Sequence, residues 1–358
     1  MPGSKVRQYK LRYLAMAPET TVGTPIAVSP GTSYRRLPVE NLTLSQTEGT
    51  GVFQRDTIND GRAAAAELAI GSFGDAFSFD CEVHDQPESE VPYIVQLLRM
   101  CGHLCDADGT QYVITPATSP LANYPAATPY VTDLPPGTAT MVLADLDGDT
   151  GAVDKYFIAA GCAASHTLTI AGSGERILFN IAGLGLIPDA SNLWIDAVDA
   201  KSIGSFIPGA GKPITALSIT ASIVGDDSGA YEGIELKNFV FTQSAEVRAT
   251  TRPQAEFGFG VPSVFLSTNP SVSFQLASTR TDDAKALADW AGGQFLDITV
   301  SFATTNSTIE LNIPRVQFQR VDFADDNGAK VAQYTAFATR PNGSATAPYT
   351  YTIANTTP

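Results

Sequence analysis

No apolar run in this chain reaches the roughly 18 residues that a bilayer-spanning helix needs. The stretch Met1 to Arg12 carries Lys5, Arg7, Lys10 and Arg12, but no apolar segment follows it, so it does not read as a secretory signal. Histidine is scarce: His84, His103 and His166 are the three, and none stands beside a nucleophile motif. There is no G-x-S-x-G, and no Walker or dinucleotide-binding glycine pattern. Gly183-Leu184-Gly185 lies amid strand signals and lacks the third glycine and the helix such a loop requires. These absences leave no enzyme reading and imply no cofactor.

Cysteine is also sparse and irregular. Cys81, Cys101, Cys105 and Cys162 suggest reduced thiols in a protein made in a cytoplasm. Cys101-Gly102-His103-Leu104-Cys105, with Cys81 and His84, has metal-ligand residue types, but the spacing matches no common structural zinc pattern. The expectation is a helix end that packs its thiols inward. Asp145-Leu146-Asp147-Gly148-Asp149 begins as an EF-hand loop does, yet Thr150 and Tyr156 stand where Gly and Glu are needed, so it reads as an acidic turn. No metal site is expected.

Basic charge is short: 22 Lys and Arg face 37 Asp and Glu, a formal net charge of −15. That excludes a nucleic-acid clamp, which needs a basic stripe. It does not prevent nucleic acid from passing nearby, because like charges repel.

What the sequence does hold is strand signal. A length of 358 residues allows two domains with their own cores, and 44% hydrophobic residues with few charges fits a globular chain. Thirty Gly and 23 Pro punctuate runs rich in Thr, Val, Ile, Phe and Tyr, the composition of many short strands joined by turns. Residues 1–35 are polar and turn-rich and read as an N-terminal arm. Alternation appears at 37–46 and 76–83. The segment 91–101 places Ile94, Leu97, Leu98 and Cys101 on one helical face. Residues 115–138 are Pro-rich, an insertion. Strands resume near 140–145, 155–160, 166–171 and 176–182, and the run 212–223 is expected to close the first domain. A second helix begins at Thr281-Asp282-Asp283, carries Ala286, Leu287 and Trp290 on one face, and ends at Gly292-Gly293. Further strands follow at 295–302, 308–313, 316–321 and 333–338.

The chain says something twice. Glu40-Asn41-Leu42-Thr43-Leu44-Ser45-Gln46 aligns with Lys237-Asn238-Phe239-Val240-Phe241-Thr242-Gln243. Arg55 and Arg252 recur at that same spacing, and Ser78-Phe79 parallels Ser273-Phe274 at two residues less. A helix follows each. The expected fold is therefore mainly β: two similar β-sandwich or barrel-like domains, each with one flanking helix. The divisions are 1–35 for the arm, 36–232 for the first domain with its insertion near 115–138, and 233–358 for the second.

Two segments carry a family likeness. Glu19-Thr20-Thr21-Val22-Gly23-Thr24-Pro25 resembles the opening of long-tailed (siphovirus-type) phage major tail tube proteins. The run from Ser307 to Phe318, followed by a strand that begins near Tyr334, is similar to their close. The resemblance covers most of the chain in pattern and order. It implies a non-enzymatic virion protein whose rings stack into a hollow tube that conducts DNA during ejection. Single-domain members form hexameric rings; a chain with two such domains implies a homotrimer with pseudo-sixfold symmetry. The implied partners are the chain itself, other tail proteins such as the tape measure and tail terminator, and DNA that passes without specific binding, with no membrane. The implied location is the virion tail, after synthesis in the host bacterial cytoplasm. Candidate lumen acids, taken from strand positions opposite the apolar ones, are Glu48, Asp80 and Glu82 in the first copy and Glu246, Asp297 and Glu310 in the second. A phage or cell-surface β-sandwich binding or decoration module is the alternative. A carbohydrate-active β-sandwich would need paired carboxylates in a cleft.

Overall fold

The computed structural model describes residues 12–21, 23–26, 34–45, 52–55, 67–70, 75–84, 92–107, 111–116, 133–134, 137–146, 153–171, 176–186, 195–196, 214, 219–232, 234–248, 263–266, 270–277, 279–303, 307–326, 328–339 and 347–355. The first elements are β1 (Arg12–Pro18), β2 (Arg35–Leu37), β3 (Val39–Ser45), a hairpin of β4 (Val52–Arg55) and β5 (Glu67–Ile70), β6 (Asp75–Glu82) and helix α1 (Tyr93–Met100). Then come β7 (His103–Ala107), β8 (Gln111–Pro116), β9 (Asp133–Leu134), β10 (Ala139–Leu146), β11 (Val153–Ala171), β12 (Ile177–Leu186) and β13 (Ile195–Asp196). The chain continues through β14 (Ile219–Gly225), β15 (Gly229–Ala230), β16 (Leu236–Gln243), a hairpin of β17 (Ala245–Arg248) and β18 (Ser263–Leu266), and β19 (Ser271–Ala277). Helix α2 (Arg280–Gly292), β20 (Phe295–Ala303), β21 (Ser307–Asp326), β22 (Ala329–Ala338) and β23 (Thr350–Asn355) complete it. The fold is mainly β and antiparallel throughout.

Eight strands lie side by side in the order β3–β6–β12–β11–β16–β19–β22–β21. Each has an apolar inner face and a polar outer one, as in β19, where Val272, Phe274 and Leu276 are buried and alternate with Ser271, Ser273 and Gln275. Two further sets of strands use the other halves of the two longest. β2–β1–β10 runs onto the first half of β11, with β13 beyond. β15–β14–β20 runs onto the first half of β21, with β23–β8–β7–β9 beyond. In β11 the change of partner falls at Gly161, whose φ of 61° accompanies a register shift between Ala160 and Ala163. In β21 it falls at Pro314, which has no N–H to donate and sits between the paired residues Ile313 and Val316.

The same pairing occurs twice. β2–β1–β10–β11–β12–β6–β3 recurs as β15–β14–β20–β21–β22–β19–β16, with a small hairpin after β3 and after β16 and a helix after β6 and after β19. The two sets share one contiguous apolar core and meet at the antiparallel seam between β11 and β16.

Several expectations need correction. Residues 12–18 of the expected arm form β1, and Leu14, Ala15, Met16 and Ala17 are buried beside β10; residues 1–11 lie outside the described residues. With both faces covered, this strand shows no polar alternation and reads as irregular. The run expected to close the first domain instead supplies β14, which pairs with β20 of the second set. Residues 219–225 thus pair with strands that follow residue 233 rather than with those of the first set. Each pair of strands expected at 155–160 and 166–171, and at 308–313 and 316–321, is one long strand. Helix α2 starts at Arg280, where the Thr279 side chain caps the Asp282 N–H, and ends at Gly293 with φ 62°. It buries Ala286 but leaves Leu287 and Trp290 41% and 45% exposed. Its orientation follows its acids: Asp289 accepts from Ser228 and Tyr231, and Asp282 accepts from the Glu232 N–H, so the polar side docks on the turn after β14.

Candidate functional site

Among the described residues the outer face of the eight-stranded layer is largely polar, with Phe337, 38% exposed, standing opposite Ser271. Its positions alternate with buried Phe79, Phe179, His166, Phe241 and Phe274, so each outward residue is fixed by an inward neighbour. Across the seam, one row reads Asp80, Asn180, Thr167, Thr242, Ser271; the next reads Glu82, Leu178, Thr169, Val240, Ser273, Thr335. Hydroxyls and amides dominate. Thr169 donates to Asn180, whose amide donates to Asp80 Oδ1 at 2.6 Å, and Asn41 holds the other Asp80 oxygen at 2.7 Å. Two cations on the face are paired with acids: Arg176 bridges Glu40 and Glu82, and Arg320 Nε lies 2.5 Å from Asp322. Burial raises the Glu82 pKa, but hydrogen bonds with His84 and Arg176 outweigh it and hold the carboxyl below its ordinary value.

The six candidate acids do not form one group. Asp80 and Glu82 share this outer face. Asp297, on β20, accepts from Asn312, and Glu310 lies opposite Ser301 and Thr352; both belong to the β14–β20–β21–β23 set and alternate with its buried residues. Glu246 is exposed on the β17 hairpin, and Glu48 lies outside the described residues.

The residues considered as metal ligands are engaged differently. His103 donates from Nδ1 to the Leu98 carbonyl at 2.8 Å, and its Nε2 accepts from the Tyr349 hydroxyl at 2.7 Å. Both of its ring nitrogens are used. His166 Nε2 meets the Tyr351 hydroxyl at 3.1 Å, while its Nδ1 has no hydrogen-bond partner. Burial pushes His103 down to about 4, and burial with His103 alongside holds His166 well below its ordinary value. Cys81 and Cys101 are buried, and burial raises both thiols. Among the described residues, no three His, Cys, Asp or Glu gather in a way that could hold a metal ion. Of the acidic turn only Asp145 and Leu146 are described, in β10, and residues 147–150 lie outside the described residues.

The Gly183-Leu184-Gly185 segment has a packing role. A Cβ on Gly183 would fall 2.2 Å from the Ala163 carbonyl oxygen, and one on Gly185 would fall 2.9 Å from Cys162 Sγ. The two glycines let β12 pass close to β11 where β11 changes partners. Glu19, in the segment that carries the family likeness, is buried as a latch. It accepts from the N–H of Gly23 and Gly161 and from the hydroxyls of Thr138 and Thr140.

Compared with known proteins, the chain matches no family model and no curated protein.

Proposed function

We propose that this chain is a structural subunit of a phage tail tube: three copies close a ring of six similar units around a channel, and rings stack into a conduit for DNA. The observation that carries the reading is the strand order repeated on either side of an antiparallel seam. In the eight-stranded layer neighbours alternate in direction, so β3 and β21, at its two edges, run opposite ways. A copy related by rotation about an axis along the strands sets its β3 beside the first copy's β21, again antiparallel. That contact is head-to-tail, and such contacts close into rings when the rotation divides a full turn. Closure would also protect two open edges that otherwise invite aggregation.

On this reading the polar outer face of the layer lines the channel. Asp80 and Glu82 repel phosphate, Arg176 and Arg320 are already paired with acids, and the hydroxyls and amides offer only neutral contacts without the charge that holds DNA. Asp297 and Glu310 then face the exterior of the ring. The duplication reading rests on the same repeated order, and contacts with a tape measure and tail terminator follow from the family likeness alone. Negative-stain electron microscopy of the purified chain tests the proposal. Rings or tubes with a central hole are expected; compact monomers at high protein concentration would reject it.

A further inference from the structure

Resting on the ring-forming reading, we infer the seam between chains: β21 of one copy pairs antiparallel with β3 of a second copy, with Asp322 opposite Ser45, Phe323 opposite Leu44 and Ala324 opposite Thr43. The register comes from the seam already present inside the chain. Phe79 and Phe274 hold the same place in the two pairing orders. Opposite them stand Ile181 and Tyr334, and opposite those stand His166 and Val321. Two residues further along the strands, Leu168 and Phe323 correspond. On the other side, Ser78 pairs with Thr43 and Ser273 with Val240, so Leu44 corresponds to Phe241. Inside the chain, Leu168 lies opposite Phe241 and Thr169 opposite Val240. Carrying those pairs to the outer edges gives the stated register.

The exposure of the edge fits a missing neighbour. Leu168, at the internal seam, is fully buried. Phe323 occupies the corresponding place on the inner-facing side of β21, two residues from the part-buried Val321, yet is 38% exposed. Beyond Gln317, β21 pairs with β22 alone among the described residues, and β3 pairs with β6 alone. Trp290, 45% exposed, donates to the Gln319 carbonyl at 3.1 Å, so its ring stands where the open stretch begins. Unpaired backbone beside exposed Phe and Trp rings is the makeup of an interface core with a strand as its occupant. A second copy supplies that strand with the correct direction and spacing.

The test is cysteine cross-linking of the full chain. Two variants each carry one pair: Phe323→Cys with Leu44→Cys, and Ala324→Cys with Thr43→Cys. Neighbouring antiparallel pairs alternate between wide and close types, so one of the two is the close type that oxidises readily. The four natural cysteines are buried and do not compete. Mild oxidation should link chains covalently into a closed trimer in at least one variant, and the off-register pair Phe323→Cys with Thr43→Cys should stay unlinked. Phe323→Ala, which gives up the Lys330 ammonium over the Phe323 ring at 4.6 Å, should shift sedimentation from ring to monomer while the monomer stays folded. Rings that form without either link, or that link off register, overturn this seam and leave the ring reading standing. Linked rings that never stack support the seam and count against the tube. A chain that stays monomeric overturns both.

Discussion

His103 and His166 pack edge to face with ring centroids 5.0 Å apart, and each bonds a different tyrosine of the C-terminal segment, Tyr349 and Tyr351. His103 comes from β7 and His166 from β11, so the pair joins the β7–β8 hairpin, the seam strand and β23 in one buried polar cluster. Phe179 and Phe241 close around it. A proton on either ring would bring charge into that apolar centre.

Acid should therefore weaken the fold in a defined window. His103 falls to about 4 when folded but titrates near 6.5 when unfolded. Between those values the unfolded chain binds the proton and the folded chain does not, so stability is full above pH 6.5 and declines as pH drops toward 4. The loss for His103 is on the order of 3 kcal/mol, with His166 acting in the same direction. Urea unfolding at pH 7.5, 6, 5 and 4.5 should show the decline. His103→Leu should flatten the slope in that window, although it costs about 1–3 kcal/mol at pH 7.5 by stranding the Tyr349 hydroxyl. An unchanged slope would remove this pair as its source.

Glu19 should be the most sensitive acid in the first set of strands. Its carboxylate satisfies two backbone N–H groups and two hydroxyls and ties the segment after β1 to β10 and β11. Glu19→Gln keeps the shape but turns an NH₂ toward donors. The expected cost is about 2–3 kcal/mol, read as a fall in the urea midpoint. A variant as stable as the parent would show that the latch contributes nothing net.

Two glycine substitutions should differ in kind. Gly183→Ala puts a methyl against the backbone of Ala163 and Ala164, which cannot yield without moving β11. A cost of about 3 kcal/mol or more is expected. Gly229→Ala meets open space, and its φ of 72° alone should cost about 1–2 kcal/mol. Equal effects on the thermal midpoint would argue against the tight crossing of β11 and β12.

Period-two alternation makes β3, β6 and β20 legible in the sequence, because each has one covered face. Gly293 ended α2 as its φ demanded. The sequence divides the long strand β11 in two because residues 159–164, where it changes partners, are buried on both sides and lose the alternation. Apolarity places Leu287 and Trp290 inward, whereas hydrogen bonds to Asp282 and Asp289 set the helix's inner side. Partners distant in sequence left no local mark: His103 reaches across 246 residues to Tyr349, and His166 across 185 to Tyr351. The available hint was phase, since His166 falls in register with buried Leu168 and Ile170. The split of the candidate acids between two sets of strands is likewise invisible, because alternation tells in from out but not which strands pair.

The channel assignment makes the sharpest functional prediction. If the outer face of the eight-stranded layer lines the bore, its Ser, Thr, Asn and Gln side chains are what DNA meets, and added cations there should hold phosphate. Thr242→Lys with Ser273→Lys places two ammonium groups near the seam, on positions that face away from the core. Surface changes of this kind usually alter stability by no more than about 0.5 kcal/mol, so folding and ring formation should survive. At a Debye length of about 8 Å under cellular salt, the new charges act on DNA close to the wall. Ejection from virions carrying this variant should slow, and added salt should restore it, because the attraction arises from counterion release. Asp297→Lys with Glu310→Lys, on the other set of strands, should leave ejection unchanged. Equal slowing by both variants, or by neither, would separate this face from the bore even if tubes formed normally.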